Sequence, residues 1–553
     1  MHHPSRRILL GVGVGLVALK LWLVAAQPVI AIGGAFYDDA LFIQLAQSIL
    51  SGDWLGPYQN VTLMKGPMYP LWIAGHAFIG LPLPVGQHLF YLLACLLAVR
   101  AVRPVLANDS IALGLFALLW WNPMSYDLSV LGRVLRQNLY TPTALLTVAA
   151  GIALVTRADQ PGTVRRAVWG LLAGVGFGTL WMTREESVWI VPTLVLLVAC
   201  AAWRSRHTGA RRKQLGASLL VGGAAAIALI SVVCSINARH YGWFGTVELR
   251  APEFASAYGA LQRIEVGPAL PFTPVSRAAR EQAYAVSPTL ARLREKLEGP
   301  DAVFWAGVSE PYTGRPRLER EIAGGWFIWF LRDAVTEVYR PASAAEALDL
   351  YRRMGLEINQ ACDDGRVPSG SRSDSLAPRL RPGDLKRFLQ VLPEYIDYFV
   401  TFRGFSGQPG RSSGTADLLA PFSALTRWHL SASPEAPEVA PRVLPVDAFR
   451  LRLLQRIGKI MRWVGAGVAV AGLVAWVALG LRTIRARELN PAWIIATACL
   501  GACAAVVMIN ALVHALSFPN RSPGALAQAY PLLLLFGGVA LAGAFSWSRR
   551  PST

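Results

Sequence analysis

Ten apolar runs, each about long enough to cross some 30 Å of hydrocarbon, recur along this chain at 8–30, 84–105, 109–126, 138–156, 166–182, 187–203, 215–238, 460–481, 491–513 and 526–546. Inside lipid each backbone N–H and C=O needs a partner within its own segment, so such runs fold as helices. The mean hydropathy of +0.39 and a charged fraction of only 16% place the chain in the same class. Arg6 and Arg7 before the first run, and Val24-Ala25-Ala26 after it, have the look of a secretory signal. At over twenty residues the run is long for one, and we read it as a retained helix. The predicted fold is an all-α polytopic membrane protein with about ten transmembrane helices.

The formal charge of +19 invites a nucleic-acid partner, but its distribution argues against one. Residues 241–455, the one long stretch without a span, hold 26 basic and 25 acidic residues, net +1. The rest holds 27 basic and 9 acidic, net +18, and arranges them by side. With the N-terminus in the cytoplasm, the inner loops and their flanks carry seventeen Lys and Arg, including Arg103, Arg166, Arg204, Lys213, Arg549 and Arg550. The short outer loops carry five: Lys65, Arg133, Arg136, Arg184 and Arg521. That asymmetry is the positive-inside rule, and it places both termini in the cytoplasm and 241–455 outside it, as in a bacterial-type inner membrane.

Three parts follow: seven spans over 1–240, an extracytoplasmic segment over 241–455, and three spans over 456–553. Stretches such as "SPTLARLREKLEG" and "ASAAEALDLYRRMGLEINQ" in the outer segment have helical apolar spacing, so a folded, mainly helical domain is expected there. It contains no recognisable catalytic motif. Cys95, Cys200, Cys234, Cys499 and Cys503 fall in spans, and Cys362 alone in the outer segment has no disulfide partner there. The first outer loop, 32–83, reads as two juxtamembrane helices. One over 40–51 puts Leu41, Phe42, Leu45, Ala46, Ile49 and Leu50 on one face, with Gly52 to end it. The other begins in "KGPMYPLWIAGHAFIG" and closes before Pro82.

Outside 241–455 there are only nine acids, and six face outward: Asp38, Asp39, Asp53, Asp127, Glu185 and Glu186. The five outer cations share that face. Charges at the edge of hydrocarbon are expensive, so their gathering marks a candidate site. Each residue also has a plainer reading. Asp39 is well placed as an N-cap of the helix at 40–51, and Asp38 is a second candidate. Lys65 could snorkel to the headgroups, Arg133 and Arg136 could anchor to them, Arg184 could pair with Glu185 or Glu186, and Arg521 could be solvated. Asp53 and Asp127 read as turn residues.

An outward acid pair after the first span, two juxtamembrane helices and a Lys-Gly-Pro turn together resemble the first loop of GT-C membrane glycosyltransferases. The likeness is greatest to the lipid A aminoarabinose transferases and protein O-mannosyltransferases. "YDDALFIQLAQSILSGDWLGPY" is similar to their Asp-Glu loop, with Asp38 at the acid and Asp39 in place of Glu. "LMKGPMYPLWIAG" resembles their Lys-Pro-Pro segment, "GTLWMTREESVWIVPTLVLLV" their Met-Thr-Lys-Gly turn, and "RSPGALAQAYPLLLL" faintly their Arg-Tyr…Pro segment. The likeness covers about 5–240 and weakly 500–546, and leaves out 241–455.

The resemblance implies transfer of a sugar from a polyprenyl-phosphate donor to an acceptor hydroxyl on a lipid, glycan or protein, among membrane lipids and without nucleic acid. It puts Asp38 and Asp39 in the catalytic role and Lys65, Arg136, Arg184 and Arg521 on the donor phosphate. Arg133, Glu185, Glu186 and Tyr58 are left for orienting or acceptor contacts. No cofactor is required, and a divalent metal at Asp38/Asp39 stays open. Two other classes stay open as well: a transporter or lipid flippase, against which Lys20 stands as the one clear mid-span charge, and a non-catalytic envelope-assembly protein.

Reporter fusions test the topology. Fusions after Arg103, Arg166 and Lys213 should read cytoplasmic and fusions within 250–450 exported; an exported signal at Lys213 contradicts the ten-span arrangement.

Overall fold

The computed structural model describes residues 6–160, 162–381, 383–408, 410–439 and 444–548, so Arg549 and Arg550 lie outside the described residues. The chain is an all-α polytopic membrane protein. All ten apolar runs form helices. They are α1 (Arg6–Val24), α4 (Leu83–Val102), α5 (Asp109–Trp120), α7 (Gln137–Thr156), α8 (Thr163–Trp181), α9 (Ile190–Ser205), α10 (Gly209–Tyr241), α20 (Pro445–Ala486), α21 (Pro491–Leu516) and α22 (Tyr530–Ser548). Seven of these helical segments are long and apolar enough to cross a membrane unaided. Between α1 and α4 lie α2 (Asp39–Leu50) and α3 (Met68–Ile79), and α6 (Leu128–Leu131) precedes α7.

The run at 109–126 differs from its sequence reading. α5 stops at Trp120 and, at 1.5 Å per residue, covers about 18 Å. Pro123 supplies no N–H and turns Asn122 out of helical geometry, so the path continues through a short 3₁₀ turn, Pro123–Ser125. Irregular backbone at this depth is tolerated only where protein satisfies it. Here Tyr91 donates to the Leu119 carbonyl at 2.8 Å, and Lys20 donates to the Trp120 carbonyl at 2.6 Å and the Ser125 hydroxyl at 2.7 Å. The Lys20 ammonium also lies 4.1 Å from the Trp120 ring centroid. The mid-span lysine therefore caps a broken helix.

α7 runs through the middle of the bundle, buried from Asn138 to Thr156. Whatever precedes it is thus held at the centre of one bundle end. Beside it α8 and α10 approach closely along a stripe of small residues. A Cβ on Gly170 would stand 2.1 Å from the Ser218 carbonyl oxygen, and one on Gly174 only 1.9 Å from that of Gly222. Four-residue spacing of small side chains lets two backbones approach in lipid, where packing replaces the hydrophobic drive.

The long segment after α10 folds in two ways. Residues 251–367 build their own core around Phe254, Tyr258, Phe327, Phe330 and Tyr351. Its helices are α11 (Pro252–Arg263), α12 (Arg277–Val286), α13 (Pro288–Ala291), α14 (Arg294–Glu298), α15 (Pro300–Thr313), α16 (Gly324–Tyr339) and α17 (Ala344–Asp363). The chain then returns to the bundle. α18 (Asp384–Val400) sinks Tyr395 and Phe399 into the bundle core, and α19 (Ala416–Thr426) packs Leu419 and Phe422 with Phe42, Tyr69 and Ile73 of α2 and α3.

A Gly174→Ile substitution should force α8 from α10 and lower stability by about 1–3 kcal/mol, read as a drop in melting temperature in detergent. Gly223→Ala, where a Cβ meets open space, should not lower it and should raise stability by up to about 1 kcal/mol. Equal behaviour of the two would show that the stripe does not set the packing.

Candidate functional site

After α1 the chain runs extended, and isolated bridges seat it: Val29 beside Leu430, Ile30 beside Arg133, Ile32 beside Ser413. Ile30 donates its N–H to the Gly132 carbonyl at 2.8 Å. This short parallel contact brings Asp39 to Arg133. α2 starts at Asp39, one residue before the sequence suggests, so Asp39 is not its N-cap. Asp38 holds that position but makes no capping hydrogen bond. The Asp39 carboxylate is fully buried and takes both prongs of the Arg133 guanidinium, Nε at 3.0 Å to one oxygen and a terminal nitrogen to the other.

Asp38 faces the other way. Its side chain is 52% exposed, and one oxygen accepts from the Lys65 ammonium, which also donates to the Tyr37 carbonyl. Lys65 is not a snorkelling residue. Only 6% exposed, it sits beneath the rings of Phe42 at 5.2 Å and Trp329 at 5.4 Å. Gly66 explains its placement: a Cβ there would come within 1.7 Å of the Met182 carbonyl oxygen, so only glycine lets the Lys-Gly-Pro turn rest on the Met-Thr turn.

That second turn carries the remaining charges. Arg136, just before α7, holds both Glu185 oxygens at 2.8 and 2.9 Å and donates to the Thr183 carbonyl at 3.1 Å. Arg184 pairs with Glu186 at 2.5 Å and lies 5.4 Å from the Tyr140 ring centroid. Arg250 lies on the Trp181 ring and donates to the carbonyls of Trp181 at 3.0 Å, Arg184 at 3.2 Å and Glu185 at 2.8 Å. Arg133 and Arg136 thus serve different carboxylates despite their helical spacing. Arg521 stands apart: it pairs with Glu394 of α18 and lies near the Tyr398 ring. Asp127 caps α6 through Ser129 and also accepts from the Ser406 N–H.

A clamp from α16, invisible in the sequence motifs, fixes the segment before Lys65. Arg332, buried and paired with buried Glu248, donates to the carbonyls of Asn60 at 2.8 Å and Thr62 at 2.9 Å. Tyr58 belongs to this clamp, its hydroxyl donating to Glu248 at 3.2 Å. The next residue, Asp333, accepts from Tyr37 at 2.5 Å and from Asn60 at 2.6 Å. The available signal was a charged dipeptide inside the otherwise aromatic "GGWFIWFLRDAV". Between this clamp and Asp38 opens a cleft of about 800 Å³.

Burial works against ionising Asp38, yet the adjacent Lys65 ammonium, with Arg136 and Arg133 beyond, holds its carboxyl below the ordinary value. Burial pushes Asp39 up, and Arg133 offsets only part of that. Burial lowers Lys65, partly offset by Asp38. Asp38 is therefore a charged, solvent-facing carboxylate at neutral pH. Asp38 and Asp39 each answer a different cation. Among the described residues no group of three or more His, Cys, Asp or Glu is placed to hold a metal ion.

No family model matches this chain, and no curated protein does. Among solved structures, it is similar to ArnT from Cupriavidus metallidurans. The apo crystal structure aligns over 97% of this chain and 77% of that one, with 14% identity and a TM-score of 0.33. The crystal structure bound to undecaprenyl phosphate aligns over 98% and 77%, with 13% identity and a TM-score of 0.31.

Linkage gives the acid behaviour its sign. A carboxyl whose folded pKa is lowered adds stability that is complete above its unfolded value, about pH 4, and lost as pH falls through the folded one. Asp38→Asn should therefore flatten the fall in melting temperature below about pH 4. An acid profile identical to that of the unsubstituted protein contradicts the Asp38–Lys65 pairing.

Proposed function

We propose that this protein is a membrane glycosyltransferase that moves a sugar from a polyprenyl-phosphate donor to an acceptor hydroxyl on the extracytoplasmic side, in a bacterial-type inner membrane. The observation that carries the reading is the pairing of half-exposed Asp38 with buried Lys65, beside Arg136 and Arg184 at one end of the bundle. A phosphate arriving from the lipid phase competes with Asp38 for Lys65 and with Glu185 and Glu186 for the two arginines. Capture of the phosphate frees Asp38.

The reaction then needs one base and several cations. Asp38 accepts the proton of the acceptor hydroxyl as its oxygen bonds to the anomeric carbon. The bond from that carbon to the phosphate oxygen breaks, and its electron pair leaves with the phosphate. Lys65, Arg136 and Arg184 stabilise the developing charge, the arginines through two-pronged contacts. Asp39, locked to Arg133, positions the start of α2 and hence Asp38. The polyprenyl chain would lie along the exposed apolar edge where Phe78 and Ile79 end α3. The step as proposed assigns no role to Arg521, which pairs with Glu394 of α18.

Purified protein in lipid nanodiscs, given a polyprenyl-phosphate-linked sugar, tests this. Asp38→Asn should cut transfer by at least about a hundredfold while donor binding persists or tightens, because Lys65 is released from its carboxylate. Lys65→Gln should weaken donor binding. Unchanged transfer by Asp38→Asn at saturating donor removes Asp38 from the mechanism.

A further inference from the structure

The cleft beside Asp38 is left unused by the phosphate cluster. We infer that it is the acceptor subsite and that the acceptor is an uncharged glycan; this rests on the transferase reading above. Asp38 lines the cleft, whereas Lys65 and Arg136 do not. A base in such a transfer stands between the two reactants. With phosphate on the Lys65 side, the cleft side falls to the acceptor.

Its shape and chemistry suit a sugar chain. A volume of about 800 Å³ falls within the range of small-molecule sites. One side of the cleft is aromatic: exposed Phe304 of α15 and half-buried Trp326 of α16 line it, backed by the buried rings of Trp305, 6.2 Å from Trp326, and Phe330. Phe304, in the same lining, keeps 67% of its surface exposed. Asn60 and Asp333 supply polar groups to the same lining. The Asp333 oxygens already accept from Tyr37 and Asn60, and each keeps a further lone pair for a hydroxyl donor. A pyranose ring presents an apolar C–H face to such rings and hydroxyls to such acceptors.

Charge narrows the class further. Four carboxylates line the cleft, Asp38, Asp301, Asp333 and Glu337, against one ammonium. That ammonium, Lys296, is held between Asp301 at 2.5 Å and Glu337. Even with Lys65 on Asp38, a phosphorylated or acidic acceptor would meet net negative charge there. The lining therefore selects against anionic acceptors.

Saturation-transfer NMR on the full chain in nanodiscs provides the test, with gluco-, manno- and galacto-tetraoses and hexose 6-phosphates as probes. At least one tetraose should bind saturably, and Phe304→Ala and Asp333→Asn should each weaken it by at least about tenfold. The hexose phosphates should not bind. Phe304 is exposed, so its truncation keeps the fold even where Asp333→Asn disturbs the clamp. Failure of every tetraose, binding that survives both substitutions, or preference for the phosphates overturns the inference. Polyprenyl phosphate binding in the same nanodiscs reports separately: its absence sinks the transferase reading, and its presence without glycan binding sinks this inference alone.

Discussion

A lysine ammonium buried at the end of a lipid-facing helix bundle has to be neutralised, and much of this structure is the consequence. Lys65 is reached by a turn that only Gly66 allows against the Met182 carbonyl. Once there, it has Asp38 as its carboxylate and the Tyr37 carbonyl as its second acceptor. The same requirement repeats in Arg133 with Asp39, Arg136 with Glu185 and Arg184 with Glu186. Removing one partner from such a pair leaves an uncompensated charge, which costs about 3–5 kcal/mol when fully buried. Of the four acids, Asp38 has the most open side chain, and the proposed reaction uses it as the base for that reason.

Pairing alone would leave the loop before Lys65 free to drift. The α16 clamp removes that freedom: Arg332 satisfies two loop carbonyls while its charge is met by Glu248. Replacing a buried ion pair by apolar residues is often neutral or stabilising, so its value here is register, holding Asn60 and Thr62 to one geometry. The separately folded core of 251–367 thereby becomes part of the site, supplying both the clamp and the aromatic wall of the cleft.

How much of this the sequence discloses depends on the range of the interaction. Apolar runs declare helices locally, and all ten form. The first loop also discloses itself, because two adjacent acids and a Lys-Gly-Pro turn are unusual in so apolar a setting. The failures involve partners far away in the chain. Asp39 looks like a cap until Arg133, 94 residues on, claims its carboxylate. The run at 109–126 reads as a full span, but the helix stops short of Pro123, and the carbonyl it frees is met by Lys20, 100 residues back. Glu394, the partner of Arg521, lies on α18 and is likewise invisible in the local sequence. Arg250 and Asp333 carry no motif at all; only the return of the long segment to the bundle end brings them in.

In the proposed reaction Lys65 is shared between Asp38 in the resting protein and the donor phosphate in the loaded one. A cryo-electron microscopy structure with polyprenyl phosphate bound tests it most directly. Phosphate oxygens should stand within hydrogen-bond reach, about 3 Å, of Lys65 and Arg136, with Asp38 released into the cleft. Phosphate bound at the Arg521–Glu394 pair, with Lys65 still on Asp38, would contradict it.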